Sequence, residues 1–299
     1  MELRLFQPDS APVASTVRAV LDWFERHETV GSSVALKERR RQWELFRIFC
    51  GDQAIADCRP VDLLDFINAQ PEAKSNWTRR RIKSTINKPF RVAAELGLID
   101  RNPFAGLRIK KGGRGRDWTQ EEYQCILRNS QPYFRRFIVF LRFAGARPGE
   151  GRTLTWPEIR DEVQAIIQRI HKTGHVTPEP RRIHFNHVLL KLLIWLKRHK
   201  THPTNVFVNK CGRPWTTRAL TNHLGLLRGR TGIPKDVKLH GARHTFATHA
   251  LMNGVDLATL AELLGHKSVA STQIYLHLID KKTHLNRAAN QAIGRSNGC

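Results

Sequence analysis

Acidic side chains are scarce in this chain. Against 50 lysines and arginines stand 26 aspartates and glutamates, a formal net charge of +24 over 299 residues. A surplus of that size disfavours a compact neutral enzyme and favours a polyanionic partner. Nucleic acid fits best, because lysine and arginine neutralise phosphates and release counterions. Cysteine is sparse too. Cys50, Cys58, Cys125, Cys211 and Cys299 lie far apart and form no CxxC pair, which reads as reduced thiols and excludes a disulfide frame or zinc knuckle. No apolar run approaches the length of a bilayer span. The opening Met1-Glu2-Leu3-Arg4 lacks the apolar stretch of a signal peptide. A cytoplasmic protein with no membrane partner is expected. Internal repeats are absent. The 40% apolar content suffices for a substantial core, and the length favours two domains.

The positive charge is unevenly spread. Residues 1–110 carry 19 lysines and arginines against 14 acidic residues, and residues 111–299 carry 31 against 12. The first part has a helical pattern. Trp43, Phe46 and Cys50 share one face, preceded by Arg39, Arg40 and Arg41. Ile82, Ile86 and Phe90 recur every four residues after the run Arg79-Arg80-Arg81-Ile82-Lys83. Pro89 is expected to kink or end that helix. The basic runs are either solvated faces or phosphate contacts, and Arg39, Arg40, Arg79, Arg80 and Lys83 are the candidates for contact. Lys110-Lys111-Gly112-Gly113-Arg114-Gly115-Arg116 reads as a basic linker that can follow a DNA backbone, which adds Lys111, Arg114 and Arg116. Thr119 and Glu122 form a capping box directly after it. The expected domains are therefore 1–110, a linker at 111–116, and 117–299.

In the second part, Phe134, Phe137, Ile138 and Leu141 mark a buried helix ending near Gly145. Residues 163–167 read as a strand with 181–185 as its partner, and His171-Lys172-Thr173-Gly174 as the turn between. Residues 189–196 read as a buried helix. Asp256 caps a helix that stops at Gly265. Four segments carry chemistry: Ala144-Gly145-Ala146-Arg147-Pro148-Gly149-Glu150, His240-Gly241-Ala242-Arg243-His244-Thr245, Leu264-Gly265-His266, and Gln273-Ile274-Tyr275. Breaking a phosphodiester needs a nucleophile, charge neutralisation on the phosphate oxygens and a proton for the leaving oxygen. Arginine suits the second task, because its planar fork grips two oxygens and stays charged. Taken singly these residues are ambiguous. His240 and His244 at helical spacing also suit a metal pair, although no third ligand stands at familiar zinc spacing. A tyrosine on a helix is usually packing.

Taken in order, the set resembles the tyrosine recombinase family of the phage-integrase type. Arg147 and Glu150 match its first arginine box, Lys172 its hairpin lysine, His240 and Arg243 its His-x-x-Arg box, His266 its Leu-Gly-His box, and Tyr275 its nucleophile. The match is close over roughly residues 117–285, and residues 11–110 look like the family's helical core-binding domain. The resemblance implies a mainly α fold with a small antiparallel β-sheet, arranged as a two-domain DNA clamp with an N-terminal helical bundle. It implies site-specific recombination or integration, in which Tyr275 forms a 3′-phosphotyrosine bond. Arg147 and Arg243 would clamp the phosphate, Lys172 protonate the leaving oxygen, His240 assist proton movement and His266 hydrogen-bond the phosphate. No cofactor or metal is expected. The expected partners are double-stranded DNA, further copies of the chain as dimer and tetramer on DNA, and an accessory DNA-bending protein. Leu285, Ala289 and Ile293 give the tail a narrow apolar stripe, packed either on its own domain or on a neighbouring protomer.

Two departures from the family pattern stand out. Gly151 and Ala242 replace leucines and remove apolar volume behind the arginines. A leucine-sized gap that stays open costs about 2–5 kcal/mol. They lend weight to one alternative, a catalytically silent DNA-binding protein derived from an integrase. The others are a metal-dependent nuclease or hydrolase using some of the 14 histidines, and a relaxing type IB topoisomerase sharing the tyrosine chemistry.

Overall fold

The computed structural model describes residues 15–28, 33–110, 112, 115–169, 180–266 and 268–278. The chain divides into two compact units between Gly113 and Arg114. Lys111, Arg114, Lys172 and the tail stripe lie outside the described residues.

The first unit is built on α1 (Val17–His27), α2 (Ser33–Cys50), α3 (Pro60–Ala69) and α4 (Asn76–Glu95). Each turns its apolar stripe inward, and Leu21, Trp43, Phe46, Phe66, Ile86, Phe90 and Phe104 form a largely aromatic core. The rings meet edge to face, with Phe46 and Phe66 at 4.9 Å and Phe90 and Phe104 at 4.8 Å, the favoured geometry of their quadrupoles.

α4 continues past Pro89 to Glu95, so the helix does not end at that proline. The reason is tertiary. A proline has no N–H, so the Thr85 carbonyl one turn earlier loses its helical donor. The Trp43 indole of α2 donates to that carbonyl instead, at 3.0 Å. Trp43→Phe is expected to lower unfolding free energy by about 2 kcal/mol, through an orphaned buried carbonyl and lost packing. Adding Pro89→Ala, which restores the amide donor, should recover part of the loss. Paired denaturant titrations measure both.

The second unit contains α5 (Gln120–Asn129), α6 (Pro132–Ala144), α7 (Pro148–Thr153), α8 (His187–Arg198), α9 (Thr217–Thr231), α10 (Gly241–Met252) and α11 (Leu257–Leu264). Its antiparallel sheet has the order β1 (Ile159–Arg160), β2 (Ala165–Gln168), β3 (Arg181–His184). The mainly helical fold with a small antiparallel sheet matches the sequence reading. The second strand begins at Ala165, not at Val163, because residues 161–163 form a 3-10 turn and Gln164 takes a left-handed φ of 46°. β3 pairs with it in the register Ala165 to His184. At two residues, β1 is too short to show a period in sequence. The Thr119 hydroxyl oxygen accepts from the Glu122 amide, and the Glu122 carboxylate accepts from the Thr119 amide at 2.9 Å. No helix among the described residues is long and apolar enough to cross a membrane.

Candidate active site

The site begins at the turn between α6 and α7. α6 ends on Gly145 at φ 58°, where an added Cβ would lie 2.6 Å from the Phe246 ring. Both the left-handed backbone and the close approach require glycine. The turn delivers Arg147 to the head of α7. Glu150, one turn on, accepts from the Arg147 amide at 2.8 Å and from its Nη1 at 2.7 Å. This carboxylate is buried, which pushes its pKa up. Arg181 and Arg147 outweigh burial and hold it below the usual range.

α10 brings the second arginine. Gly241 opens it, and a Cβ there would meet the Trp118 indole nitrogen at 2.5 Å. Thr245 accepts from the Trp118 amide at 2.8 Å, so the small and polar residues of this motif serve packing. Arg243 is 1% exposed. Its Nη1 donates to Gly145 O at 2.9 Å and its Nη2 to Leu264 O at 2.7 Å. One side chain therefore ties the α6–α7 turn to the end of α11. Burial, followed by repulsion from Arg147, lowers its pKa to about 10, and it stays charged at neutral pH.

Tyr275 lies in the 3-10 segment Gln273–Leu278, packed on Ala247, Leu251, Leu260 and Leu264. The Arg243 charge acts on its phenol. Burial raises the phenol pKa, and the charges of Arg243 and Arg147 pull against that rise. His266 follows Gly265, the left-handed stop of α11, and its Nδ1 sits 2.8 Å from Thr272 Oγ1. Its ring is parallel to that of Tyr275, with centroids 6.5 Å apart. Burial, then Arg243, Arg147 and Arg181, lower its pKa to about 4. His240 heads α10 and is exposed; with Pro148, Arg152 and Arg228 it lines a pocket of about 250 Å³.

Arg147, Arg243, His266 and Tyr275 thus gather in one cluster, from four separate segments. Two members escaped the sequence reading. His244, weighed there only as a metal partner of His240, stands between His240 at 4.9 Å and Tyr275 at 5.4 Å between ring centroids. Arg181 is buried on β3 beside Glu150. A signal for it existed: strand alternation puts Arg181 on the inward side with Ile183, and an inward cation needs partners.

The expected gap at Gly151 is absent. A Cβ at Gly151 would lie 2.9 Å from Phe140 Cε1 and 3.0 Å from Phe137 Cε2. Two phenyl rings fill the space that a leucine would take. Gly151→Leu is therefore expected to destabilise by about 3 kcal/mol through overpacking, with partial recovery when Phe140→Leu is added. Thermal and denaturant unfolding of the two variants check this.

The candidate nucleic-acid contacts separate into two groups. Arg39 faces Glu28 at 3.6 Å and Arg40 faces Glu25 at 3.2 Å. Arg79 donates to Asn68 at 2.6 Å. Arg116 is gripped by Glu122 at 2.6 Å and Asp236 at 2.7 Å. In contrast, Arg80 and Lys83 have no ion pair among the described residues. They line an open groove of about 650 Å³ along α4 with Asn87, Arg91 and Arg108.

The Phage integrase family model matches residues 116–282. The tyrosine recombinase XerC of Listeria monocytogenes serotype 4b (strain F2365) is 28% identical over 279 residues, covering 87% of this chain and 91% of its own length. XerC of Oceanobacillus iheyensis is 27% identical over 291 residues, covering 91% and 93%. Among solved structures, the Tn1549 transposon integrase in complex with a circular intermediate DNA superposes with a TM-score of 0.74 at 20% identity, covering 87% of this chain and 95% of the other. A lambda integrase tetramer bound to a Holliday junction superposes with a TM-score of 0.69 at 20% identity, covering 90% and 80%.

Proposed function

This chain belongs to the phage integrase family of tyrosine recombinases, and from that premise we propose that its site cuts and rejoins duplex DNA through a covalent bond to Tyr275. The protein is a site-specific DNA recombinase. The Tyr275 oxygen attacks the scissile phosphorus and forms the 3′-phosphotyrosine bond as the bond to the 5′-oxygen breaks. Arg147 and Arg243 hold the non-bridging oxygens, where charge grows. Lys172 supplies the proton to the leaving 5′-oxygen. His240 takes part in proton movement at the phenol, and His266 hydrogen-bonds the phosphate. The phosphotyrosine keeps the energy of the broken linkage, so a 5′-hydroxyl can reverse the reaction without a nucleotide.

The buried Arg243 guanidinium, whose charge acts on the Tyr275 phenol, carries this reading. The same guanidinium is anchored to the Gly145 carbonyl of the turn that presents Arg147. Tyr275 is 2% exposed, so its segment must shift outward when a phosphate enters. In the first unit, Arg80, Lys83, Arg91 and Arg108 contact the DNA backbone, since their groove is open and phosphate binding needs accessible cations. Arg39, Arg40, Arg79 and Arg116 serve mainly to hold the fold. A lambda integrase is solved as a tetramer on a Holliday junction, and this chain assembles in the same manner on its own sites, in the cytoplasm.

A suicide duplex with a nick near the scissile phosphate tests the reading, incubated with the protein in EDTA. A covalent protein–DNA adduct is expected. A gel shift without adduct would replace this reading with that of a silent binder, and adduct only when a metal is added would replace it with metal chemistry.

A further inference from the structure

Arg181 touches both halves of the cluster, and no matched motif includes it. Its side chain is 2% exposed. Nη2 donates to Leu263 O at 2.8 Å, and Nη1 donates to Arg182 O. The last carbonyls of a helix have no intrahelical donor. At the end of α11 two guanidiniums satisfy them, Arg181 at Leu263 and Arg243 at Leu264. The next residues are Gly265 and His266. A Cβ on Gly265 would lie 2.7 Å from Arg181 Cδ and 3.0 Å from its Nε. The glycine of the Leu-Gly-His segment is therefore required by Arg181 as well as by its φ of 64°. On the other side, Arg181 Nε faces Glu150 Oε2 at 3.8 Å, the carboxylate that orients Arg147.

The charges explain why a third arginine is useful. Glu150 is needed to aim Arg147, but its negative charge would cancel one of the two phosphate-gripping cations. Arg181 offsets that carboxylate. Among the described residues, Arg147, Arg181 and Arg243 against Glu150 leave two net positive charges at the site. A phosphodiester brings one negative charge and the pentacoordinate phosphorane carries two. The cluster therefore matches the transition state better than the ground state, which is the condition for faster chemistry rather than tighter binding.

We propose that Arg181 is a positioning residue for strand cleavage: it fixes the α11 terminus that presents His266, and it neutralises Glu150 so that Arg147 and Arg243 act on the phosphate with their full charge. This rests on the cleavage reading above. The groups facing His266 are Arg243 on α10, Arg147 and Glu150 at the head of α7, Arg181 on β3, and Tyr275 and Thr272 on its C-terminal side.

The test compares native protein, Arg181→Met, Arg181→Lys and Gly265→Ala. Each is assayed for duplex affinity, for single-turnover cleavage of the suicide duplex, and for the titration of the His266 ring by NMR. Arg181→Met is expected to bind within about threefold of native and to cleave about 100-fold more slowly, the size of effect seen when one preorganised donor is removed. Its His266 should titrate upward from about 4, towards the ordinary value of about 6.5. Arg181→Lys keeps the charge but not the fork. It should hold the native His266 titration and restore about tenfold of the lost rate. Gly265→Ala should displace Arg181 and reproduce the slow cleavage, with little further loss when combined with Arg181→Met. Cleavage by Arg181→Met within threefold of native overturns the proposal. So does loss of rate and affinity in parallel with an unchanged His266 titration, the mark of a purely structural role. If Arg181→Met does not fold, Arg181→Lys and Gly265→Ala decide by the same readouts. Native protein that forms no adduct would reject the cleavage reading itself, whereas native cleavage with an indifferent Arg181→Met rejects this inference alone.

Discussion

Tyr275→Phe is expected to abolish the covalent adduct, a loss of at least about 10⁴-fold in cleavage, while duplex affinity stays within about threefold. The substitution removes one oxygen. The ring remains packed on Ala247, Leu251, Leu260 and Leu264, and the two anchoring bonds of Arg243 to Gly145 and Leu264 do not involve the phenol. The fold should therefore survive with a stability change of about 1 kcal/mol or less, the net worth of a typical hydrogen bond. Denaturing gels of the suicide-duplex reaction read the adduct, and fluorescence anisotropy on the intact duplex reads the affinity. Adduct persisting in the variant would assign the nucleophile to another residue.

Arg243→Ala should be the most damaging single change to the site, because it acts on chemistry and on stability together. On the proposed mechanism it removes a cation from the phosphate, at about 10³-fold in cleavage. It also leaves the Gly145 and Leu264 carbonyls without the donors they have now, each at about 1–3 kcal/mol when buried. A stability loss of about 3–5 kcal/mol follows, large against the 5–15 kcal/mol that holds a typical domain. Arg243→Lys should keep part of the stability but little of the rate, since one ammonium cannot reach both carbonyls and a phosphate. Urea melts beside single-turnover cleavage separate the two effects. An Arg243→Ala protein as stable as native would show that the two carbonyl bonds are dispensable. Native cleavage by it would remove Arg243 from the phosphate grip.

The two departures that lent weight to a silent DNA-binding protein now read differently. Gly151 is accommodated by Phe137 and Phe140, whose rings lie where a side chain would start. Ala242 is fully buried in the core of the second unit. From the sequence they look like lost volume. Whether a missing leucine leaves a cavity depends on which neighbours lean into the space, and Phe137 and Phe140 lie on α6, more than ten residues earlier in the chain. No local pattern carries that information.

Pro89 teaches the same lesson at the backbone level. Its effect on its own helix is legible, since proline deletes a donor wherever it stands. The compensation comes from Trp43, 42 residues before the Thr85 carbonyl that it bonds, and sequence periodicity cannot announce a side chain–backbone bond across two helices. The charged candidates divide on similar grounds. Arg39, Arg40 and Arg116 read from sequence as free cations in basic runs, but folding sets acidic groups from other segments against them. Arg80 and Lys83, from an equally basic run, stay on an open groove.

The chain by itself determined the chemistry on offer. The order and spacing of Arg147, His240, Arg243, His266 and Tyr275 are covalent facts, and the Thr119 capping box and the left-handed helix stops at Gly145 and Gly265 are legible from residues close in the chain. Tertiary structure alone decided which charges meet. Arg181 is an ordinary strand residue until the sheet, α7 and the end of α11 close around it and set it between Glu150 and Leu263. Electrostatic pairing in a low-dielectric interior depends on distance through space, and residues 31 and 82 positions from Arg181 become its neighbours only once the hydrophobic core has folded.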